Sequence, residues 1–124
     1  MKTARILVVD DEAEVRELVA EFLESKGYVA LTASNGFEAL TTVKEQRPDL
    51  ILMDVMMPRM SGLETLHRIR ELDRDIGVIM LTAVEDEVIA KEAMRKEAYD
   101  YITKPLDFGY LELVILTKLA QGER

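Results

Sequence analysis

Three short runs constrain this chain more than any other feature: Ile6-Leu7-Val8-Val9, Leu50-Ile51-Leu52-Met53 and Val78-Ile79-Met80-Leu81 are apolar at every position. A strand with one wetted face alternates apolar and polar residues. A run without alternation is buried on both faces, as in the interior of a parallel sheet. Amphipathic segments with helical spacing follow each run, and the strand–helix pairing recurs five times along the chain. Five such units predict a single α/β domain: a doubly wound parallel sheet, helices on both faces, joined by right-handed crossovers.

The first predicted strand is Arg5 to Val9, followed by a helix with Val15, Leu18, Val19, Phe22 and Leu23 at helical spacing. Asp11 and Glu14 have the spacing of a cap and its reciprocal partner, and Lys26-Gly27 supplies a helix stop. Tyr28 to Thr32 reads as a weaker strand at an edge. Asn35 is placed to cap a helix containing Phe37, Leu40 and Val43, which ends before Pro48. After the third strand, Ser61 and Glu64 have capping-box spacing ahead of Leu63, Leu66 and Ile69. A mostly charged helix from about Asp86 to Arg95 carries Val88, Ile89 and Met94. Ala98 to Thr103 is the fifth strand, and Asp107 caps a last helix bearing Leu111, Leu113, Val114, Ile115, Leu116 and Leu119.

Bulk properties exclude several function classes. The 124 residues include no cysteine, which removes disulfides, thiolate metal sites and thiol catalysis. Twenty-four acidic against 16 basic residues give a formal charge of −8, which opposes direct binding to nucleic acid. No apolar run approaches the roughly 18 residues of a membrane span, and the N-terminus lacks a secretory pattern. The expected location is cytoplasmic.

The carboxyl ends of the predicted strands form a coherent set. Strand one runs into Asp10-Asp11, strand three into Asp54, strand four into Thr82 and strand five into Lys104. In a parallel sheet all five side chains share one rim, where such folds bind ligands. Three carboxylates there repel one another unless a cation joins them. Oxygen donors without histidine or sulfur favour a hard ion such as Mg²⁺, with Mn²⁺ as a substitute. A hydroxyl and an ammonium suit the oxygens of an anionic ligand, as in phosphoryl transfer. An aspartate beside such an ion can act as nucleophile and form an aspartyl phosphate. Taken singly, each residue has a plainer reading: Asp10 or Asp11 as a helix cap, Thr82 as a strand end, Lys104 as a loop cation, Tyr101 as an edge aromatic. His67, the only histidine, reads as a surface residue.

The motifs Val8-Val9-Asp10-Asp11-Glu12, Asp54-Val55-Met56-Met57-Pro58 with Ser61-Gly62, Leu81-Thr82-Ala83 and Tyr101-Ile102-Thr103-Lys104-Pro105 occur in this order. In them the chain resembles the receiver domain of two-component response regulators, over essentially residues 1–124 with a folded core of about 4–120. The resemblance implies a flavodoxin-like (βα)5 fold with strand order 2-1-3-4-5, an order that periodicity does not provide. It implies that Asp54 accepts a phosphoryl group from a sensor histidine kinase or phosphotransfer protein. Asp11 and Asp54 would hold Mg²⁺ directly, Asp10 largely through water, and the backbone carbonyl of Met56 would complete the set. Lys104 and Thr82 would contact the phosphoryl group. Thr82 and Tyr101 would switch the face of helix four, strand five and helix five, which acts on a downstream partner or an attached output domain. The Lys104-Pro105 bond is expected to be cis, an isomer that proline makes accessible, aiming the lysine into the site. Such a domain is a regulatory phosphoacceptor rather than a turnover enzyme.

Some positions depart from the family's pattern or vary within it. Glu97 stands where a glycine is common, so the turn into strand five is expected to differ locally, and Leu106 replaces a common phenylalanine. Met56 and Val84 flank the expected path of the hydrolytic water and cannot orient it, which predicts a long-lived phosphoryl-aspartate. Helix five is apolar around more of its circumference than one core stripe needs; with Tyr110, Leu113 and Leu116 it suggests a homodimer through the helix-four/strand-five/helix-five face. The rival from another class is a Mg-dependent aspartate-nucleophile phosphatase, but such enzymes commonly carry an acid where this chain has Met56. A flavin carrier is disfavoured by Asp10-Asp11-Glu12 at the phosphate position. The sequence leaves open whether the chain is a complete single-domain regulator or the receiver of a longer one.

Overall fold

Alternate side chains of each apolar run feed two separate cores. Ile6, Val8, Leu50, Leu52, Ile79 and Leu81 pack on one side of the sheet with Val19, Leu23, Leu111, Val114 and Ile115. Leu7, Val9, Ile51, Met53, Val78 and Met80 pack on the other with Ala39, Val43, Leu66, Ile69 and Ala93. This period of two explains why the runs have no polar position: both faces are dry.

The computed structural model describes residues 3–83 and 85–122. Its elements are β1 (Arg5–Val9), α1 (Ala13–Ser25), β2 (Val29–Ala33), α2 (Gly36–Gln46), β3 (Leu50–Met53), α3 (Gly62–Leu72), β4 (Gly77–Thr82), α4 (Glu87–Arg95), β5 (Asp100–Thr103) and α5 (Phe108–Gly122). The strands form one parallel sheet ordered β2-β1-β3-β4-β5, the order the resemblance implies. Helices α1 and α5 cover one face; α2, α3 and α4 cover the other. The chain reverses direction across the sheet between β1 and β3, so the topological switch point opens at the carboxyl ends of these two strands.

Several local signals hold. Asn35 and Ser61 cap α2 and α3 through the amides of Glu38 and Glu64. Asp86 caps α4, and Asp107 accepts from the Tyr110 amide at the start of α5. Gly27, with φ of 90°, turns the chain out of α1 in the left-handed region.

Others are corrected. Asp11 does not cap α1: the N-cap is Glu12, whose side chain makes no capping bond. The Glu12 amide is taken instead by Asp10 Oδ1 at 2.9 Å, and the helix starts one residue later than the capping-box spacing suggested. The fifth strand begins at Asp100 rather than Ala98. Leu18, Phe37, Val88 and Met94 have helical spacing yet face solvent. Glu97 stands in the left-handed region before β5, with φ of 68°, a conformation that glycine favours. Arg70 spans this end of the sheet, donating to the carbonyls of Ile76 at 2.6 Å and Glu97 at 2.7 Å.

Candidate functional site

Registry assembles the site. Val9 lies opposite Met53 in the β1–β3 pairing, and the next amide, Asp54 N–H, donates to Val9 O at 3.0 Å. Asp10 and Asp54 therefore leave neighbouring strands at the same level. One carboxylate oxygen from each of Asp10, Asp11 and Asp54 lies within 4.8 Å of the others. Asp10 and Asp54 are buried, whereas Asp11 is exposed.

Lys104 arrives from β5, two strands away from β3. Thr82 pairs with Thr103, and Lys104 N–H donates to Thr82 O at 2.7 Å, extending the ladder by one residue. The Lys104–Pro105 bond is cis. The ammonium reaches Asp10 Oδ2 at 3.0 Å and Asp54 Oδ2 at 3.7 Å. Thr82 is fully buried, and its hydroxyl helps to lower the Asp54 carboxyl. All five residues expected on the rim are thus on it.

Burial raises the Asp54 carboxyl above the ordinary carboxylate range. The Lys104 charge opposes this, the Asp10 carboxylate adds to it, and the Met56 amide and the Thr82 hydroxyl pull it back down. Among the described residues, three converging carboxylates face the single ammonium of Lys104. Their donors are oxygen only, so the set fits a hard divalent cation, and Asp10, Asp11 and Asp54 are the side chains able to hold one.

The loop after β3 is fixed by close packing. Gly62 N–H donates to Val55 O at 2.7 Å. A Cβ on Gly62 would collide with the Asp54 carbonyl oxygen and sit 2.8 Å from Val55 Cα. Met56 N–H approaches Asp54 Oδ1 at 3.4 Å, while the Met56 side chain is 62% exposed. Val84, the other residue expected beside the water path, lies outside the described residues. Tyr101 is half-buried against the α2–α3–α4 side of the core, with burial first and then the charges of Asp86 and Asp54 raising its phenol. His67 is exposed, 4.0 Å from Glu71 and separate from this rim. Two contributors escaped sequence reasoning. Arg16 donates to the Asp10 carbonyl at 2.7 Å, with no motif to announce it. Gly62 was visible as the residue after the Ser61 cap, but not as a contact of Asp54.

A family profile described as "Response regulator receiver domain" matches residues 6–116. The chain belongs to this family. The receiver domain is 45% identical over 115 residues to the phosphate regulon transcriptional regulatory protein PhoB of Pseudomonas aeruginosa, covering 91% of this chain and 49% of that protein. It is 37% identical to sporulation initiation phosphotransferase F of Bacillus subtilis, covering 86% of each. Among solved structures, a response regulator receiver domain protein from Clostridium thermocellum superposes with a TM-score of 0.91 at 32% identity, covering 95% of both chains. The receiver domain spans between about a quarter and a half of the length of several curated relatives. Membership makes it a regulatory domain of two-component signalling rather than a turnover enzyme. Among the described residues, no helix is long and apolar enough to cross a membrane.

Proposed function

We propose that Asp54 is the phosphoacceptor, receiving its phosphoryl group from a phosphohistidine on a sensor histidine kinase or phosphotransfer protein. The observation that carries this reading is the buried Asp54 carboxylate held at the sheet rim between Lys104 and the other two acids. One Asp54 oxygen bonds to phosphorus as the phosphorus–nitrogen bond of the donor breaks, and the electron pair stays on the imidazole nitrogen. The transition state is loose, so positioning and charge stabilisation carry most of the catalysis. Lys104 and Thr82 supply a cation and a hydroxyl for the phosphoryl oxygens. Mg²⁺, held by Asp10, Asp11, Asp54 and the Met56 carbonyl, would neutralise charge on donor and acceptor oxygens; Mn²⁺ would serve in its place.

Modification at Asp54 shifts a pre-existing equilibrium rather than creating a new fold. Thr82 and Tyr101 are the switch residues, acting on the face of α4, β5 and α5. That face addresses a downstream partner or an attached output domain, and the exposed Tyr110, Leu113 and Leu116 offer apolar surface for a homodimer. The receiver spans residues 1–124, works in the cytoplasm and does not itself bind nucleic acid. The phosphatase alternative is not favoured: the position two residues after Asp54 carries an exposed methionine, not an acid.

The test is incubation with Mg²⁺ and a small phosphodonor. Stoichiometric label on the wild-type chain, absent in Asp54→Ala, supports the reading; sustained multiple-turnover phosphate release would favour a phosphatase.

A further inference from the structure

Arg16 stands one turn into α1, close to the positive end of the helix dipole, where a cation does not help the helix. Its side chain leans back over the first turn, the direction natural to helical side chains. There Nη1 donates to the carbonyl oxygen of Asp10 at 2.7 Å. That carbonyl belongs to the peptide joining Asp10 to Asp11, so the contact sits between two carboxylates of the acidic cluster.

The turn is otherwise held from the Asp10 side. Asp10 N–H donates to Ala33 O at 3.2 Å, and the Asp10 carboxylate accepts from the Glu12 amide at 2.9 Å and from Lys104 at 3.0 Å. The N-cap position of α1 contributes no side-chain bond. Arg16 is therefore the helix's own tie to the Asp10–Asp11 peptide. On α2, hydrogen bonds from Ser34 hold the Glu38 carboxyl low, and the charges of Arg16 and Arg59 add to the effect.

We propose that Arg16 is a positioning residue for the divalent cation: by fixing the Asp10–Asp11 peptide it sets the carboxylate geometry that receives the ion. It touches neither the ion nor the phosphoryl group, and the proposal rests on the metal-assisted phosphoacceptor reading above. Charge and positioning make opposite predictions here. Removing a cation near a cation site relieves repulsion and tightens binding, whereas loosening the outer shell of metal ligands weakens affinity by roughly 10–100-fold.

The experiment is calorimetric titration of Mg²⁺ into the whole unphosphorylated chain. Arg16→Met keeps the side-chain stem and removes the donor; Arg16→Lys restores a donor. Arg74→Ala removes the same charge at the opposite end of the sheet, where Arg74 is 77% exposed. Arg16→Met should raise the Kd about tenfold with melting in EDTA unchanged, Arg16→Lys should recover part of the loss, and Arg74→Ala should match wild type. Unchanged or tighter binding by Arg16→Met overturns the proposal and leaves the phosphoacceptor reading intact. So does failure of Arg16→Met to fold without Mg²⁺, since the residue would then serve the fold rather than the ion. A wild-type chain that binds no Mg²⁺ overturns both.

Discussion

Lys104 Nζ stands 3.7 Å from Asp54 Oδ2, although β4 lies between the strands that carry them. The same ammonium is closer to Asp10, at 3.0 Å. One cation thus serves two buried carboxylates and compensates Asp54 only in part. That leaves Asp54 responsive to a second positive charge at the site, and to the removal of its own.

The first consequence is a pH dependence. Burial, opposed by Lys104 and reinforced by Asp10, holds the folded-state carboxyl of Asp54 above its unfolded value. The folded chain then binds this proton more tightly, so Asp54's contribution to stability is full below the unfolded value and lost as pH rises through the raised one. Without Mg²⁺, Asp54→Asn should melt above wild type near neutral pH. Thermal melts in EDTA should show that gap closing as the pH falls into the range where Asp54 is protonated in both states. A gap that widens in acid would contradict the assignment.

Gly62 should tolerate no side chain. A Cβ there meets the Asp54 carbonyl oxygen and Val55 Cα, backbone atoms that cannot move without moving Asp54 itself. Gly62→Ala should cost about 2–3 kcal/mol, in the range of overpacking, and slow labelling of the fraction that folds. Urea denaturation together with a labelling time course measures both.

Glu97 occupies a left-handed turn, with φ of 68°. A non-glycine residue there costs roughly 1–2 kcal/mol, partly offset by the entropy that glycine loses on folding. Glu97→Gly should therefore raise stability by about 0.5–1 kcal/mol. The exposed Glu97–Arg74 pair, 3.4 Å apart, contributes little in return. A shifted denaturation midpoint at unchanged slope is the expected result, and a loss of stability would show that the ion pair outweighs the backbone.

Met56 presents an exposed thioether beside Asp54, unable to orient a water by a strong hydrogen bond. The phosphoryl-aspartate should be long-lived. Met56→Asn should shorten its half-life several-fold, read by loss of label after the donor is removed. Equal half-lives would place control of hydrolysis elsewhere.

Much of this was legible in residues 5–9, 50–53 and 78–81, because a parallel interior strand has no wet face and no polar position to confuse the pattern. The rim residues were legible because strand ends in a parallel sheet share one edge. The capping of α1 was misread: Asp11 and Glu14 have the right spacing, but the Asp10 carboxylate reaches the Glu12 amide first. Arg16 on Asp10 O and Arg70 on the carbonyls of Ile76 and Glu97 left no trace in the sequence. A side chain that binds a backbone carbonyl imposes no residue type on its partner. Glu97 holds a left-handed turn with no glycine to announce it.

If Asp54 is the phosphoacceptor, the phosphoryl group resides there and at no other carboxylate or imidazole of the chain. Reductive trapping of the acyl phosphate with borohydride, followed by peptide mass mapping, locates it directly. One modified position, residue 54, is expected, formed only when Mg²⁺ and a phosphodonor are both present. Modification at His67 or at Asp10 or Asp11, with Asp54 untouched, would contradict it.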